Sequence, residues 1–252
     1  IKTKIIAITG SCGKTTLKEL LGNTLKQIST VGISPKSYNN KYGVPLSLFN
    51  LDQRNDYGVL EIGMDKKGEI DFLSKIVKPD VSVITNINYA HAKNFKNIKQ
   101  IALAKSEIIN NTKINGSVVL NADDNFYTLH KKIANKRKLK ILSFSIDNQN
   151  ANIKLVSIKK ITNKFKATIR VNNLKTYFFI SNNFQNNILN ILAALAVMSI
   201  FIDVSKLKKN IFMGFKTPDG RGDIAKIEIN NKRLNLVDES YNSNPLSLKS
   251  AI

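Results

Sequence analysis

The sequence predicts an α/β fold: a P-loop, doubly wound, mostly parallel sheet flanked by helices, with a small antiparallel sheet appended. Three observations predict it. From residue 5 to residue 144, short apolar runs alternate with helix-length segments, the rhythm of successive βαβ units. One glycine-containing stretch, Thr9-Gly10-Ser11-Cys12-Gly13-Lys14-Thr15-Thr16, stands between an apolar run and a helix with leucines at helical spacing. After residue 150 the rhythm changes, and three strand-like runs follow one another across polar turns.

Residues 5–9 form the first strand and about 15–27 the first helix. Between them, Gly10 and Gly13 let the backbone curl so that successive amides face one anion. The helix N-terminus adds unsatisfied donors and partial positive charge. Lys14 can then reach the β- and γ-phosphates of a nucleotide, and the Thr15 hydroxyl can ligate Mg²⁺. The loop is the short form G-x-x-G-K-T, because Ile8 stands where the longer pattern has glycine. Cys12 reads as a small residue at a tolerant position.

Residues 30–32 suggest a short strand. The polar stretch 34–43, with Pro35, Asn39, Asn40 and Gly43, reads as an exposed loop of the kind that carries function. A short helix follows over 44–48, with Pro45 near its first turn. Strands are expected at 57–62, 81–85, 117–120 and 140–144, and helices at 69–77, 98–109 and 123–136. Ligands gather at the carboxyl ends of such strands, which places the loop 10–16, Glu61, the segment 86–91 and Asp123 around one crevice. Glu61 follows an apolar run, so it either meets a partner such as Mg²⁺ or points to solvent from the strand end. On residue type alone His91 is an ordinary loop residue. Lys105, within the apolar run 101–108, has apolar neighbours that could partly bury it, but on sequence alone it reads first as a solvated helix lysine. Beyond 150 come strand candidates at 152–157, 164–171 and 176–180, an apolar helix over 187–202, a second helix over 204–212, a turn at 218–222, strands at 224–229 and 233–237, and a helical start near Pro245.

Composition bounds the partners. The formal net charge of +21 would suit nucleic acid, but the lysines are spread over every polar face, so no nucleic acid is expected and a phosphorylated ligand suffices. The longest apolar segment, 188–202, is too short to span a membrane and carries Asn190, so no membrane partner is expected. One cysteine permits no internal disulfide, and no signal peptide opens the chain; both fit a cytoplasmic protein.

Five strings carry a resemblance that residue types alone could not: 9–16, already quoted; Asn39-Asn40-Lys41-Tyr42-Gly43-Val44-Pro45-Leu46; Glu61-Ile62-Gly63-Met64 with Gly68-Glu69-Ile70; Asn86-Ile87-Asn88-Tyr89-Ala90-His91 running on to Ala104-Lys105-Ser106-Glu107-Ile108; and Asp238-Glu239-Ser240-Tyr241-Asn242-Ser243-Asn244-Pro245. Together they resemble the central ATPase domain of the Mur ligases, and the last string resembles the branch that adds D-alanyl-D-alanine. The resemblance implies ATP and two Mg²⁺ ions as cofactors. It implies that Gly10, Ser11, Cys12, Gly13, Lys14, Thr15 and Thr16 bind the phosphates, with Arg221 nearby. Thr15, Glu61, His91 and Lys105 would serve the metal sites, with Lys105 matching a lysine that is carbamylated in several members. Lys14, His91 and Lys105 would be catalytic. Asn187 and Asn190 would lie near adenine, and Glu239 or its neighbour Asp238 would contact ribose.

The implied reaction joins D-Ala-D-Ala to a UDP-N-acetylmuramoyl-tripeptide through an acyl phosphate, in a monomer. Residues 1–237 would be the ATP-binding domain, with 150–181 as its antiparallel subsheet. Residues 238–252 would be the hinge and the start of a C-terminal domain, and a UDP-binding N-terminal domain would lie outside this chain. A Mur-type ligase with another amino-acid substrate, or a nucleotide-binding fragment inactive alone, are the other readings.

Overall fold

The computed structural model describes residues 3–89, 94–181, 187–229, 232–238 and 240–241. Its first half is the expected alternation: β1 (Lys4–Thr9), α1 (Lys14–Lys26), β2 (Val31–Ile33), α2 (Gly43–Phe49), β3 (Tyr57–Glu61), α3 (Glu69–Val77), β4 (Val81–Ile84), α4 (Ile98–Asn110), β5 (Ser117–Asn121), α5 (Tyr127–Lys136) and β6 (Lys140–Ser145). The second half holds β7 (Ile153–Ile161), β8 (Lys164–Val171), β9 (Leu174–Ser181), α6 (Ile188–Met198), β10 (Asp223–Ile229) and β11 (Lys232–Asp238).

One nine-stranded sheet runs in the order β2-β3-β1-β4-β5-β6-β7-β8-β9, parallel as far as β7 and antiparallel beyond it. The antiparallel strands are therefore continuous with the main sheet, joined where Phe144 and Ser145 pair with Ile153 and Lys154. β10 and β11 form a separate antiparallel pair. The chain leaves β1 toward β3 and β2, then returns to β4 on the other side. The reversal makes the carboxyl end of β1 the switch point, where such sheets bind ligands.

Period-2 alternation sorts the strand residues into two cores. Ile6 and Ile8 face α1 and α6, with Leu17, Leu20, Leu21 and Ile191 to Met198. Ile5 and Ala7 face the opposite layer, with Ile70, Leu73, Ile101 and Ile108 of α3 and α4. α6 is buried along almost its whole length, which explains why it is apolar all round.

Two expected helices differ. Over 204–212 only a 3₁₀ turn, Val204–Lys206, forms. The backbone of Lys209 turns instead to β9, whose Phe179 amide donates to the Lys209 carbonyl at 2.7 Å, while Leu207, Ile211 and Phe212 pack into the core. A sheet edge needing acceptors outweighs the local helical pattern. α5 starts at Tyr127 rather than 123, because Asp123 accepts from the Ile146 and Asn148 amides and Asp124 from those of Phe126 and Ile87. Both aspartates thus pin neighbouring loops instead of entering a helix.

At the opposite rim Asp80 staples three strand starts. Its carboxylate accepts from the Ile5 amide at 2.9 Å and pairs with Lys113 at 2.8 Å and Lys4 at 3.6 Å. Desolvation raises its pKa, but the Lys113 and Ile5 bonds and the lysine charges outweigh that and hold it below the usual carboxylate value. Asp80→Ala is expected to cost about 1.5–3 kcal/mol at neutral pH. A depressed carboxylate contributes stability fully above its unfolded pKa and loses it as pH falls through the folded value, so the difference between variant and parent should shrink toward pH 2. Urea unfolding of both proteins at pH 7 and near pH 2 checks this; a difference that persists unchanged in acid would contradict it.

Candidate functional site

The loop after β1 is built by two glycines. Gly10 has φ +148°, and a Cβ there would lie 1.8 Å from Thr85 Oγ1. Gly13 has φ +79° and precedes α1 without a side-chain cap, which leaves the first-turn amides of the helix for an external acceptor. A Cβ on Gly13 would lie 3.0 Å from Asn190 Oδ1, so α6 meets the loop there. Asn190 in turn donates to Asn187 Oδ1 at 3.1 Å.

The loop is clamped to the segment after β4. Ser11 N donates to the Asn86 carbonyl at 2.9 Å, Cys12 N to Asn86 Oδ1 at 3.0 Å, and Thr85 Oγ1 to the Cys12 carbonyl at 2.6 Å. Ser11 Oγ donates to the Asn88 carbonyl and accepts from the Asn88 amide, both at 2.9 Å. Not all of the loop amides are open to an anion: those of Ser11 and Cys12 bond to the segment after β4, whereas the first turn of α1 has no side-chain cap. Asn86 belongs to the segment 86–91 expected at this crevice, whereas Thr85, which also clamps the loop, reads from sequence only as the end of a strand. Their signal was position, immediately beyond a buried parallel strand.

Lys14 Nζ donates to the carbonyls of Gly10 at 2.9 Å and Ser11 at 3.3 Å. Burial lowers its pKa, Glu61 and Cys12 pull it back up, and Arg221 lowers it further. Thr15 Oγ1 donates to Glu61 Oε2 at 2.7 Å, and Asn39 Nδ2 donates to Glu61 Oε1 at 2.7 Å. Glu61 is 1% exposed, which excludes the solvent-facing alternative. Lys105 is also 1% exposed, and its reading as a solvated lysine is wrong. Desolvation and then Lys14 push its pKa well below the ordinary lysine value, with Cys12 and Glu61 acting weakly against them.

Arg221 stacks its guanidinium 4.0 Å from the Tyr241 ring centre, and both side chains reach Ser37 Oγ, Tyr241 at 2.8 Å and Arg221 at 3.4 Å. Asp238 closes β11 and accepts from the Ser240 amide at 2.9 Å. His91 and Glu239, expected at the second metal and at ribose, lie outside the described residues, as does most of 238–252. His130, the other histidine, is buried and packs its ring against the Ala102 carbonyl at 3.1 Å, away from these groups.

The donor set fits Mg²⁺ held together with phosphate. A buried carboxylate bonded only to neutral donors among the described residues, beside a loop hydroxyl, offers two oxygens to a hard cation. No cluster of three or more His, Cys, Asp or Glu among the described residues could hold a metal alone. Substrate oxygens and water would have to complete the shell.

Fold and loop together define a P-loop α/β domain with its loop at the sheet's switch point. The chain belongs to the Mur ligase family: residues 8–198 match the Mur ligase middle domain. Among curated relatives it is 36% identical over 265 residues to the UDP-N-acetylmuramoyl-tripeptide–D-alanyl-D-alanine ligase of Buchnera aphidicola subsp. Acyrthosiphon pisum, covering 100% of this chain and 54% of that one. Among solved structures it superposes on MurF from Acinetobacter baumannii with TM-score 0.88 and 29% identity, covering 99% of this chain and 53% of that chain. On MurF ligase from Thermotoga maritima in complex with ADP the TM-score is 0.86 with 28% identity, covering 100% and 56%. The chain thus spans about half the length of the relatives it matches.

Proposed function

We propose that this chain is the ATP-binding unit of an amide ligase that adds D-Ala-D-Ala to UDP-N-acetylmuramoyl-tripeptide in peptidoglycan precursor synthesis. The observation that carries the reading is the convergence of Lys14, Thr15, Glu61 and Lys105 around the loop. The names of the relatives support the substrate pair, and the ADP complex of the T. maritima protein supports the nucleotide.

In this reading the tripeptide carboxylate attacks the γ-phosphorus and ADP leaves. The amine of D-Ala-D-Ala then attacks the acyl carbon, expelling phosphate and losing a proton. The chain's part is electrostatic. The first-turn amides of α1 and Lys14 would hold the phosphates, with Arg221 approaching from the 218–222 turn. Thr15 and Glu61 would hold Mg²⁺, which neutralises charge on the phosphate oxygens when bound. The two ions of this reading need a second anionic ligand, which a carbamate on Lys105 would supply: the neutral amine attacks CO₂, and the nitrogen loses its proton. The lowered Lys105 pKa favours that amine. Asn187 and Asn190, beside Gly13, suit the adenine side. Asp238, with Glu239 next to it, would face the ribose, and His91 would serve the second metal. A monomer in the cytoplasm fits these substrates, and no helix among the described residues is long and apolar enough to cross a membrane.

Calorimetry of residues 1–252 with ATP, with and without Mg²⁺, tests the reading. Binding that tightens with Mg²⁺ is expected. Ligation by these residues alone should be negligible, because positioning the two acceptors is a large part of such a reaction. Absence of nucleotide binding, or rapid ligation by the isolated chain, would overturn the assignment.

A further inference from the structure

Among the described residues Lys18 is one of the largest side chains that are fully buried, at 0% exposure, and the reaction above does not use it. It lies one turn beyond Thr15 on α1. Its Nζ donates to the Ser34 carbonyl at 2.6 Å and to the Lys36 carbonyl, and pairs with Glu19 at 2.9 Å. A buried ammonium with all three protons engaged is arranged, not incidental. Its two carbonyl partners open the 34–43 loop.

That loop grips Glu61 from two sides. Ser34 Oγ accepts from the Glu61 amide at 3.3 Å, and Asn39 Nδ2 donates to Glu61 Oε1 at 2.7 Å. Its middle carries Ser37, the partner of Arg221 and Tyr241. Its conformation has a cost, for Lys36 sits at φ +44°, a region lysine disfavours and glycine accepts. The Lys36 side chain is exposed, and the turn around it is closed by the Tyr38 amide donating to the Pro35 carbonyl at 3.0 Å. What faces it is Lys18, at the carbonyl of the strained residue itself.

We propose that Lys18 is a positioning residue that holds the 34–43 loop in its strained turn, so that Asn39 and Ser34 aim the Glu61 carboxylate at Thr15 for the metal–nucleotide complex. The inference rests on the nucleotide reading above for its ligand, but the arrangement it describes exists in the free protein. Glu61 is held by Thr15 of α1 on one carboxylate oxygen and by Asn39 of the loop on the other, so displacing Asn39 removes one of those two contacts. Lys18 ties the loop to the same helix that carries Lys14 and Thr15, so metal-holding and phosphate-holding groups share one rigid support.

The test compares the unaltered protein, Lys18→Met, Lys36→Gly and the double variant. ADP binding is measured first without metal and then during MgCl₂ titration. Lys18→Met should leave metal-free ADP affinity unchanged and lower Mg²⁺ affinity of the ADP complex roughly 10–100-fold, the usual cost of losing support behind a ligand. Adding Lys36→Gly should restore much of it, because glycine adopts the turn without being held. In the ligand-free protein, the Asn39 side-chain amide resonances should move in Lys18→Met and return in the double variant. A role confined to core packing would lower Tm without either pattern. Unchanged Mg²⁺ affinity with an unmoved Asn39 signal overturns the proposal, as does a double variant that regains nothing. If Lys18→Met does not fold, recovery of folding and Mg²⁺ affinity by the double variant supports it, and failure of both to fold overturns it. If the unaltered protein binds no ADP, the nucleotide reading falls, and the Asn39 resonances alone decide the part played by Lys18.

Discussion

Lys14→Ala is expected to weaken Mg-ATP binding by roughly 100-fold or more, as removal of a charge-assisted donor that would reach two phosphates. In the free protein Lys14 Nζ rests on the Gly10 and Ser11 carbonyls, at the floor of the loop, so its position is set before any ligand arrives. Its lowered pKa gives the effect a pH signature. Only the ammonium attracts phosphate, so affinity should be full below the free-state pKa of Lys14 and fall as pH rises through it, earlier than for an ordinary lysine. The same shift separates lost binding from lost folding. A lysine whose native pKa is depressed opposes folding at neutral pH, so removing it should not lower the stability of the ligand-free chain. Lys14→Arg is not a conservative control, since the planar guanidinium cannot occupy the point that the ammonium does. Calorimetry and thermal unfolding on the same samples check all of this; equal ATP affinity for Lys14→Ala and its parent would remove the loop from the nucleotide site.

Lys105 carries the second large effect, with opposite signs in two assays. In the ligand-free chain Lys105→Met should stabilise, on the order of 1 kcal/mol or roughly 2–4 °C, because it replaces a desolvated amine with an apolar group of similar length. The native pKa of Lys105 is pushed far below the unfolded value. Between those two values the unfolded chain binds more protons, so the parent gains stability as pH rises through that interval, and the variant should lack this slope. In the intact ligase the outcome reverses. Lys105→Ala should lower the rate by roughly 10²–10³-fold, the scale of losing one electrostatic element of a reacting site. Lys105→Glu should retain a fraction, since it puts an anion near the place a carbamate would take, and bicarbonate should help Lys105→Ala little because the amine is gone. A carbamate signal in ¹³C spectra of the parent with labelled bicarbonate, absent from Lys105→Met, would tie the two assays together. Full ligase rate in Lys105→Ala without added carboxylic acids would leave Lys105 with no part in the reaction.

Together, Lys14 and Lys105 mark what local sequence can and cannot carry. The loop position of Lys14 was legible because each element that sets it is local: an apolar run for β1, two glycines at backbone angles other residues disfavour, and a helix that begins at Lys14 itself. The same holds for α6, apolar all round, and for the hairpins beyond residue 150, where period-2 patterns and polar turns lie close together in the chain. The apolar neighbours of Lys105 hinted at partial burial but could not decide it. The groups around Lys105 are Lys14, Cys12 and Glu61, brought together by strand order and helix packing, and no window around residue 105 contains them. Lys18 is the same case, a lysine on a helix whose cover comes from 34–36. The grip of Asn39 on Glu61 spans 22 residues and depends on the loop returning over the end of β3. The 204–212 segment failed as a helix for a related reason, since the edge of β9 claimed its backbone. Periodicity and glycine placement act through φ, ψ and one element's own faces, so sequence alone determined most of the elements and the glycine loop after β1. Burial of charge and the partners of each polar group depend on which distant surface closes over them, and only the tertiary structure decided that.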